Sequence, residues 1–456
     1  MELTSQIDAQ RSFFHLGYTR SVSFRRTMLH RLKQGLDRHE AALLAALEQD
    51  LGKSRFEAYE TELAVVRSEL KDAWEHLERW ARPRKVRTPL ALAPGSSRIY
   101  REPYGVALIM APWNYPVQLT LVPLISALAA GCTAVVKPSA YAPASSQAVA
   151  DLIADVFESN YVCAVQGGRA ENTALLKERF NFLFFTGSTA VGRTVMAAAA
   201  ERLTPVALEL GGKSPAILAP DADMDLAARR IVWGKGLNAG QTCVAPDHVW
   251  VPEEARDYFV ERLGRYIRQF YGEQPLESPD LPRIVNEKHF RRLEGLMASG
   301  RVALGGGRDA SRLKIAPTVL VDVDEGDPVM GEEIFGPILP VLTYDGDMEA
   351  LIGRLQQKPR PLALYLFTKD SALMREVRER IPFGGGCVND TVIHLANSAL
   401  PFGGTGESGM GRCHGEAGFR TFSYEKSVYR KFPPDVPVRY PPHGGKGLGL
   451  LKRLMG

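Results

Sequence analysis

At 456 residues, with 45% hydrophobic and 24% charged side chains, the chain can bury roughly three quarters of its unfolded surface, and its length suggests roughly three domains. The 56 Lys plus Arg against 52 Asp plus Glu leave a net charge of +4, too small for the one-sided basic face that nucleic acid binding requires. Cys132, Cys163, Cys243, Cys387 and Cys413 are odd in number, widely spaced and without a CxxC pair, which argues for a reducing, cytoplasmic compartment and against a zinc site.

Glu2, Asp8, Arg11 and Arg20 are scattered through a start that lacks the basic-then-apolar pattern of a signal peptide, so the mature protein is expected to begin at or near Met1. Phe24, Met28, Leu32, Leu36, Leu43 and Leu47 recur mostly at steps of four and predict a long amphipathic helix up to Leu51. A second helix is predicted from about Phe56 to Trp80. Pro83, Pro89 and Pro94-Gly95 then punctuate a segment ending in the alternating Ser97-Arg98-Ile99-Tyr100-Arg101, an expected hairpin or extended arm.

From Pro103 to Val136 no residue is charged, long enough to span a bilayer, but Pro112, Pro116, Pro123, Gly105, Gly131, Asn114 and Gln118 break the run into strand, loop, helix and strand. Beyond Gly105 short apolar strands alternate with helices: strands at Val106 to Met110, Ala134 to Lys137, Tyr161 to Val165, Phe182 to Phe185 and Val206 to Glu209. Such alternation predicts βαβ units in a doubly wound parallel sheet, with a break around residues 210–214 before a second α/β series. The tail from Lys446 to Gly456 carries five apolar residues among three basic ones; it reads as a frayed end, with weak membrane-surface contact as the alternative.

Four segments carry candidate chemistry. Gly240-Gln241-Thr242-Cys243 places a thiol in a loop after a predicted helix. Leu208-Glu209-Leu210-Gly211-Gly212 ends an apolar strand in a carboxylate, either a solvated strand terminus or a base in the ligand crevice. Ala111-Pro112-Trp113-Asn114-Tyr115-Pro116 also follows a strand, and its Asn either makes a turn or offers an amide to an oxyanion. Phe185 to Gly192, with Gly187, Ser188 and Gly192, is a strand-turn-helix suited to a dinucleotide although G-x-G-x-x-G is absent.

Together with Lys137-Pro138-Ser139 and Glu332-Glu333-Ile334-Phe335-Gly336-Pro337, these segments resemble the aldehyde dehydrogenase superfamily over most of the chain. Leu203-Thr204-Pro205, Gly240 to Asp247 and Pro401 to Gly411 resemble its class-three branch of fatty and aromatic aldehyde dehydrogenases, typically homodimers. The resemblance implies a cofactor domain (1–82 and 103–209), a catalytic domain (210–415), a small β bridging element for oligomerisation (83–102 and 416–432) and a tail (433–456). It implies Cys243 as nucleophile, Asn114 as oxyanion donor and Glu209 as the base that hydrolyses a thioester. Lys137, Gly187, Ser188, Gly192, Leu210, Glu333 and Phe335 would bind NAD or NADP, and no metal is expected.

NAD-using relatives usually have an acidic residue three positions after the lysine; here it is Ala140, which removes a ribose acceptor and a repulsion against a 2′-phosphate, so NADP is expected to be accepted. Trp113, Tyr115, Trp233, His394 and Phe402 are candidates for an apolar tunnel taking medium or long aliphatic or aromatic aldehydes, and His414 reads as structural. The competing functions are a CoA-acylating dehydrogenase and a noncatalytic binding protein on the same fold.

Overall fold

The computed structural model describes residues 3–434, 440–442, 448–449 and 452–453. Most of the C-terminal tail, with its question of membrane contact, lies outside the described residues. Among the described residues no helix is long and apolar enough to cross a membrane.

The first long helix runs Val22–Leu51, capped by Ser21, whose hydroxyl accepts from Phe24 N at 3.4 Å, and stopped by Gly52 in the left-handed region. Its Met28, Leu32, Leu36, Leu43 and Leu47 are buried, as the spacing predicts. The expected second helix forms as Arg55–Ala58 and Ala64–Ala81, joined without a break by a π turn, Tyr59–Leu63, in which Glu62 is buried.

Strands β1 (Arg84–Val86) and β2 (Gly95–Pro103) begin a ribbon that leaves the body of the protein. Then β3 (Val106–Met110), β4 (Thr133–Lys137), β5 (Val162–Ala164), β6 (Phe182–Thr186) and β7 (Val206–Glu209) form a parallel sheet ordered β7-β6-β3-β4-β5. β3, β4 and β6 are buried along their whole length, because helices cover both faces, and this is why they read as unbroken apolar runs. Strand order reverses between β3 and β6, and the crevice at that switch opens beside the turns that carry Asn114 and Gly187.

The chain crosses to a second sheet after Glu209. Its strands are β8 (Pro215–Leu218), β9 (His248–Pro252) and β10 (Arg301–Leu304), then, beyond the small hairpin of β11 (Arg308–Asp309) and β12 (Lys314–Ile315), β13 (Thr318–Val321), β14 (Ile338–Tyr344), β15 (Ala363–Phe367) and β16 (Gly385–Val388). The order is β10-β13-β14-β9-β8-β15-β16, parallel except for β10 against β13.

The chain returns to the first sheet within the span that the sequence reading gives to the second unit: β17 (Gly409–Met410) pairs antiparallel with β7, Gly409 opposite Glu209. Helix Gly415–Thr421 follows, and β18 (Ser423–Lys431) runs antiparallel to β2 from Ser423 opposite Pro103 to Lys431 opposite Gly95. The arm predicted near 84–102 is thus a three-stranded ribbon, β1-β2-β18. Within the expected bridging stretch 416–432 this helix comes before the strand, and Phe419 and Phe422 are buried against the first sheet's core.

Candidate active site

Helix Met224–Gly236 ends in a reversal in which Asn238 (φ 51°), Ala239 (φ 51°) and Gly240 (φ 74°) are all left-handed. Non-glycine residues there cost roughly 1–2 kcal/mol each, so the turn needs external support. Glu57 Oε1 accepts Asn238 N at 2.5 Å. Gln241 Nε2 donates to Asn238 O and Arg283 O, both at 3.0 Å, and its Oε1 accepts Val285 N at 3.0 Å. Only glycine serves at 240, where a Cβ would run into the Gly336 carbonyl. From the far side Tyr365 OH donates to Val244 O. Cys243 is therefore clamped before and after, with its sulfur on a cavity.

Glu209 reaches the same cavity from β7 of the first sheet. It is buried and neither carboxylate oxygen has a hydrogen-bond partner among the described residues. Burial holds its carboxyl well above the ordinary carboxylate range, and the Arg412 guanidinium offsets only part of that. Burial, with Glu333 and Glu209 nearby, likewise pushes the Cys243 thiol far above its ordinary value.

Asn114 is 2% exposed, in the turn after β3. Its Nδ2 donates to Gln241 O at 3.0 Å, two residues before Cys243, and this uses one of its two N–H bonds. The carbonyl of Asn114 accepts Asn238 Nδ2 at 2.8 Å, so the Asn114 turn and the thiol loop are tied in both directions.

The cavity, about 270 Å³, has an almost wholly apolar wall supplied by helix Gln118–Ala130 (Leu119, Val122, Pro123) and by Trp233, Ile393 and Phe402. Of the five predicted tunnel residues, Tyr115, Trp233 and Phe402 line it and two do not. Trp113 points away from Tyr115 and packs on His289 and Phe335, ring centres 5.3 and 5.4 Å apart. His394 stands behind Phe402, 6.2 Å ring to ring, with Nδ1 3.5 Å from Cys387 Sγ. His414 also reaches the cavity wall, while its Nδ1 meets Glu69 Oε1 at 2.5 Å. The helix wall went unnamed in the sequence, although a helix apolar all round is the mark of complete burial.

The second group of predicted residues lies at the switch-point crevice and beside it. Lys137, buried at the end of β4, donates to Pro138 O at 2.8 Å and Gly167 O at 2.6 Å, and Ala140 beyond it is exposed. Ser188 precedes helix Thr189–Ala200 without capping it, which leaves first-turn N–H groups available to a phosphate. A Cβ at Gly192 would meet Leu210 Cδ2 at 2.7 Å, and one at Gly187 the Phe185 ring. Glu333, pushed up to about 8 mainly by burial, accepts from Gly212 N–H, and its buried Oε1 has no hydrogen-bond partner among the described residues.

The Glu333 loop is fixed by neighbours that the sequence reading did not find: Lys213 Nζ donates to Val329 O at 2.9 Å and Glu332 O at 2.8 Å and pairs with Asp247 at 2.5 Å. Asp247 Oδ2 in turn accepts Ile334 N at 2.9 Å, and Phe335 follows in the left-handed region (φ 51°). An ammonium group and an open helix start as donors, with an orphaned carboxylate oxygen as acceptor, fit the phosphates and ribose hydroxyls of a dinucleotide.

Residues 3–428 match the aldehyde dehydrogenase family. The 4,4'-diaponeurosporen-aldehyde dehydrogenase of Staphylococcus aureus is 45% identical, covering 96% of this chain and 95% of that protein, and the mouse aldehyde dehydrogenase family 3 member B1 is 45% identical over 97% and 95%. A structure of the substrate-bound state of Staphylococcus aureus AldH superposes with a TM-score of 0.98 at 43% identity, covering all of both chains. Two others at TM-score 0.85 are an E. coli NADP-dependent enzyme (28% identity, 94% and 89% covered) and a Mycobacterium tuberculosis aldehyde dehydrogenase complexed with NAD+ (29%, 94% and 90%). The chain belongs to the aldehyde dehydrogenase family and is an NAD(P)-dependent aldehyde dehydrogenase.

Proposed function

We propose that the enzyme oxidises medium- or long-chain aliphatic or aromatic aldehydes to free carboxylic acids through a thioester on Cys243. The observation that carries this reading is one apolar cavity holding Cys243 from the second sheet and the unpartnered Glu209 carboxyl from the first. The Cys243 sulfur, as thiolate, adds to the aldehyde carbon. The free N–H of Asn114 Nδ2 and the Cys243 backbone N–H hold the oxyanion. When bound, the nicotinamide is the hydride acceptor that lets the thiohemiacetal become a thioester. Glu209 then takes a proton from water, the resulting hydroxide attacks the thioester carbon, and the C–S bond breaks to release acid and thiolate. A carboxyl inside the cavity favours water over CoA as the acyl acceptor.

Lys137 and the 188–192 turn would hold the adenosine ribose and phosphates, and Glu333 and Phe335 the nicotinamide ribose. With Ala140 in place of an acidic residue, NADP is expected to be used; a kcat/KM preference for NAD above about 100-fold, roughly 2.7 kcal/mol, would contradict this. The β1-β2-β18 ribbon, with Tyr424, Val428 and Tyr429 exposed, is the element we assign to a homodimer contact, and the cytoplasm is the compartment that suits a working thiol.

The decisive assay is a panel of aldehydes of rising chain length run with both cofactors and without CoA. Free acid should form, with kcat/KM climbing with apolar length; a strict CoA requirement or a preference for short polar aldehydes would overturn the reading. In the same assay Asn114→Ala should lower kcat/KM by about 10²–10³-fold, as expected for loss of one oxyanion donor.

A further inference from the structure

Between the two N-terminal helices, residues 53–62 place three charged side chains in the interior. Lys53 and Glu62 are both fully buried, with Lys53 Nζ 2.7 Å from Glu62 Oε1. Isolated buried ion pairs contribute little net stability, because desolvation offsets attraction, so this pair calls for another account. Its remaining contacts all converge on one place. Lys53 Nζ donates to Asn114 O at 3.2 Å and sits 3.9 Å over the Tyr115 ring. Glu62 Oε2 accepts the N–H groups of Val117 (3.0 Å) and Gln118 (2.9 Å). Glu57, from the same segment, holds Asn238 N on the opposing loop. Tyr115 closes the circuit by donating to Thr242 Oγ1 at 2.6 Å, next to Cys243.

We infer that Lys53 and Glu62 are positioning residues for the oxyanion site: they hold the 114–118 turn so that the free Asn114 N–H faces the carbon bonded to Cys243. The inference rests on the oxyanion role proposed for Asn114. Lys53 fixes the peptide that carries Asn114, and Glu62 fixes the two N–H groups at the start of the next helix. Loss of either removes one of these two anchors, and loss of both leaves the side-chain ties from Asn114 and Tyr115 to the thiol loop. Glu62 lies within the π turn Tyr59–Leu63, where it and Leu63 face the interior.

The test uses the full chain and follows acylation of Cys243 by p-nitrophenyl acetate, in which the sulfur bonds to the acetyl carbon and nitrophenolate leaves. This step needs the oxyanion site but no cofactor. The charge-free double variant Lys53→Met with Glu62→Gln should acylate about 10–100-fold more slowly, the scale of a reacting group misplaced by around an ångström. Cofactor affinity should stay within about twofold of wild type, because the pair does not touch that site. In an Asn114→Ala background the same two changes should cost less than about twofold, since a residue that acts through another loses its effect once that one is gone. Glu62→Gln alone, isosteric and less disruptive, should show the same coupling.

An undiminished cost in the Asn114→Ala background would overturn the inference and assign the pair a merely structural role. An Asn114→Ala variant that acylates as fast as wild type would overturn it together with the oxyanion assignment. Coupling among the variants, together with wild-type protein that oxidises none of the proposed aldehydes, would refute the substrate assignment while upholding the positioning role.

Discussion

Cys243→Ala should abolish aldehyde oxidation, with kcat/KM falling by at least about 10⁴-fold, because no other group in the cavity can form the covalent intermediate. Cys413 lines the same wall, but it is buried where Cys243 is only partly so, and it is the Cys243 loop, through Gln241 O, that the Asn114 amide is tied to. Cys243→Ser should recover little, since a hydroxyl in that dry setting is harder still to ionise than the thiol. Cofactor binding should survive in both, which separates loss of chemistry from loss of fold. An alanine variant retaining even a hundredth of wild-type kcat/KM would exclude Cys243 as the nucleophile.

Glu209→Gln should separate the two halves of the reaction. Thioester formation does not use Glu209 as drawn above, so the variant should reduce about one equivalent of cofactor per active site and then slow by about 10²–10⁴-fold, the contribution of a positioned general base. Mass spectrometry of the stalled enzyme should find the acyl group on Cys243. The pH profile adds a second reading. Burial raises the Glu209 pKa, so its basic form is scarce at low pH and grows as pH rises; wild-type kcat should climb with pH on that limb, and Glu209→Gln should flatten it. Steady-state turnover unchanged by the substitution would remove Glu209 from the hydrolytic step.

Features confined to neighbouring residues were legible in the sequence. Strands β3, β4 and β6 are short apolar runs because both their faces are covered, and the stripe from Met28 to Leu47 marks the buried side of its helix. Asn114, Glu209 and Cys243 were visible because each follows a strand or helix end in a turn-rich context. What escaped depends on distant partners. Lys53, Glu57 and Glu62 look like the solvated face of a helix until Asn114, Val117 and Asn238 are brought to them. Lys213 and Asp247 flank two recognised segments, yet their task of holding the Glu333 loop appears only in three dimensions. Trp113 and Tyr115 are two residues apart and part company because the turn sends one toward Phe335 and the other toward Thr242.

The pairing of β17 with β7 bears on how the protein is made. The strand that carries Glu209 has β6 on one side and, on the other, Gly409 and Met410, residues that leave the ribosome long after it. Until then β7 is an unpaired edge in an otherwise complete first sheet, exposed to the wrong neighbours in the way edge strands are. The ribbon strand β2 waits for β18 in the same way. A nascent chain can thus hold the other strands of the first sheet and the Cys243 loop while the strand that carries Glu209 still lacks its second neighbour.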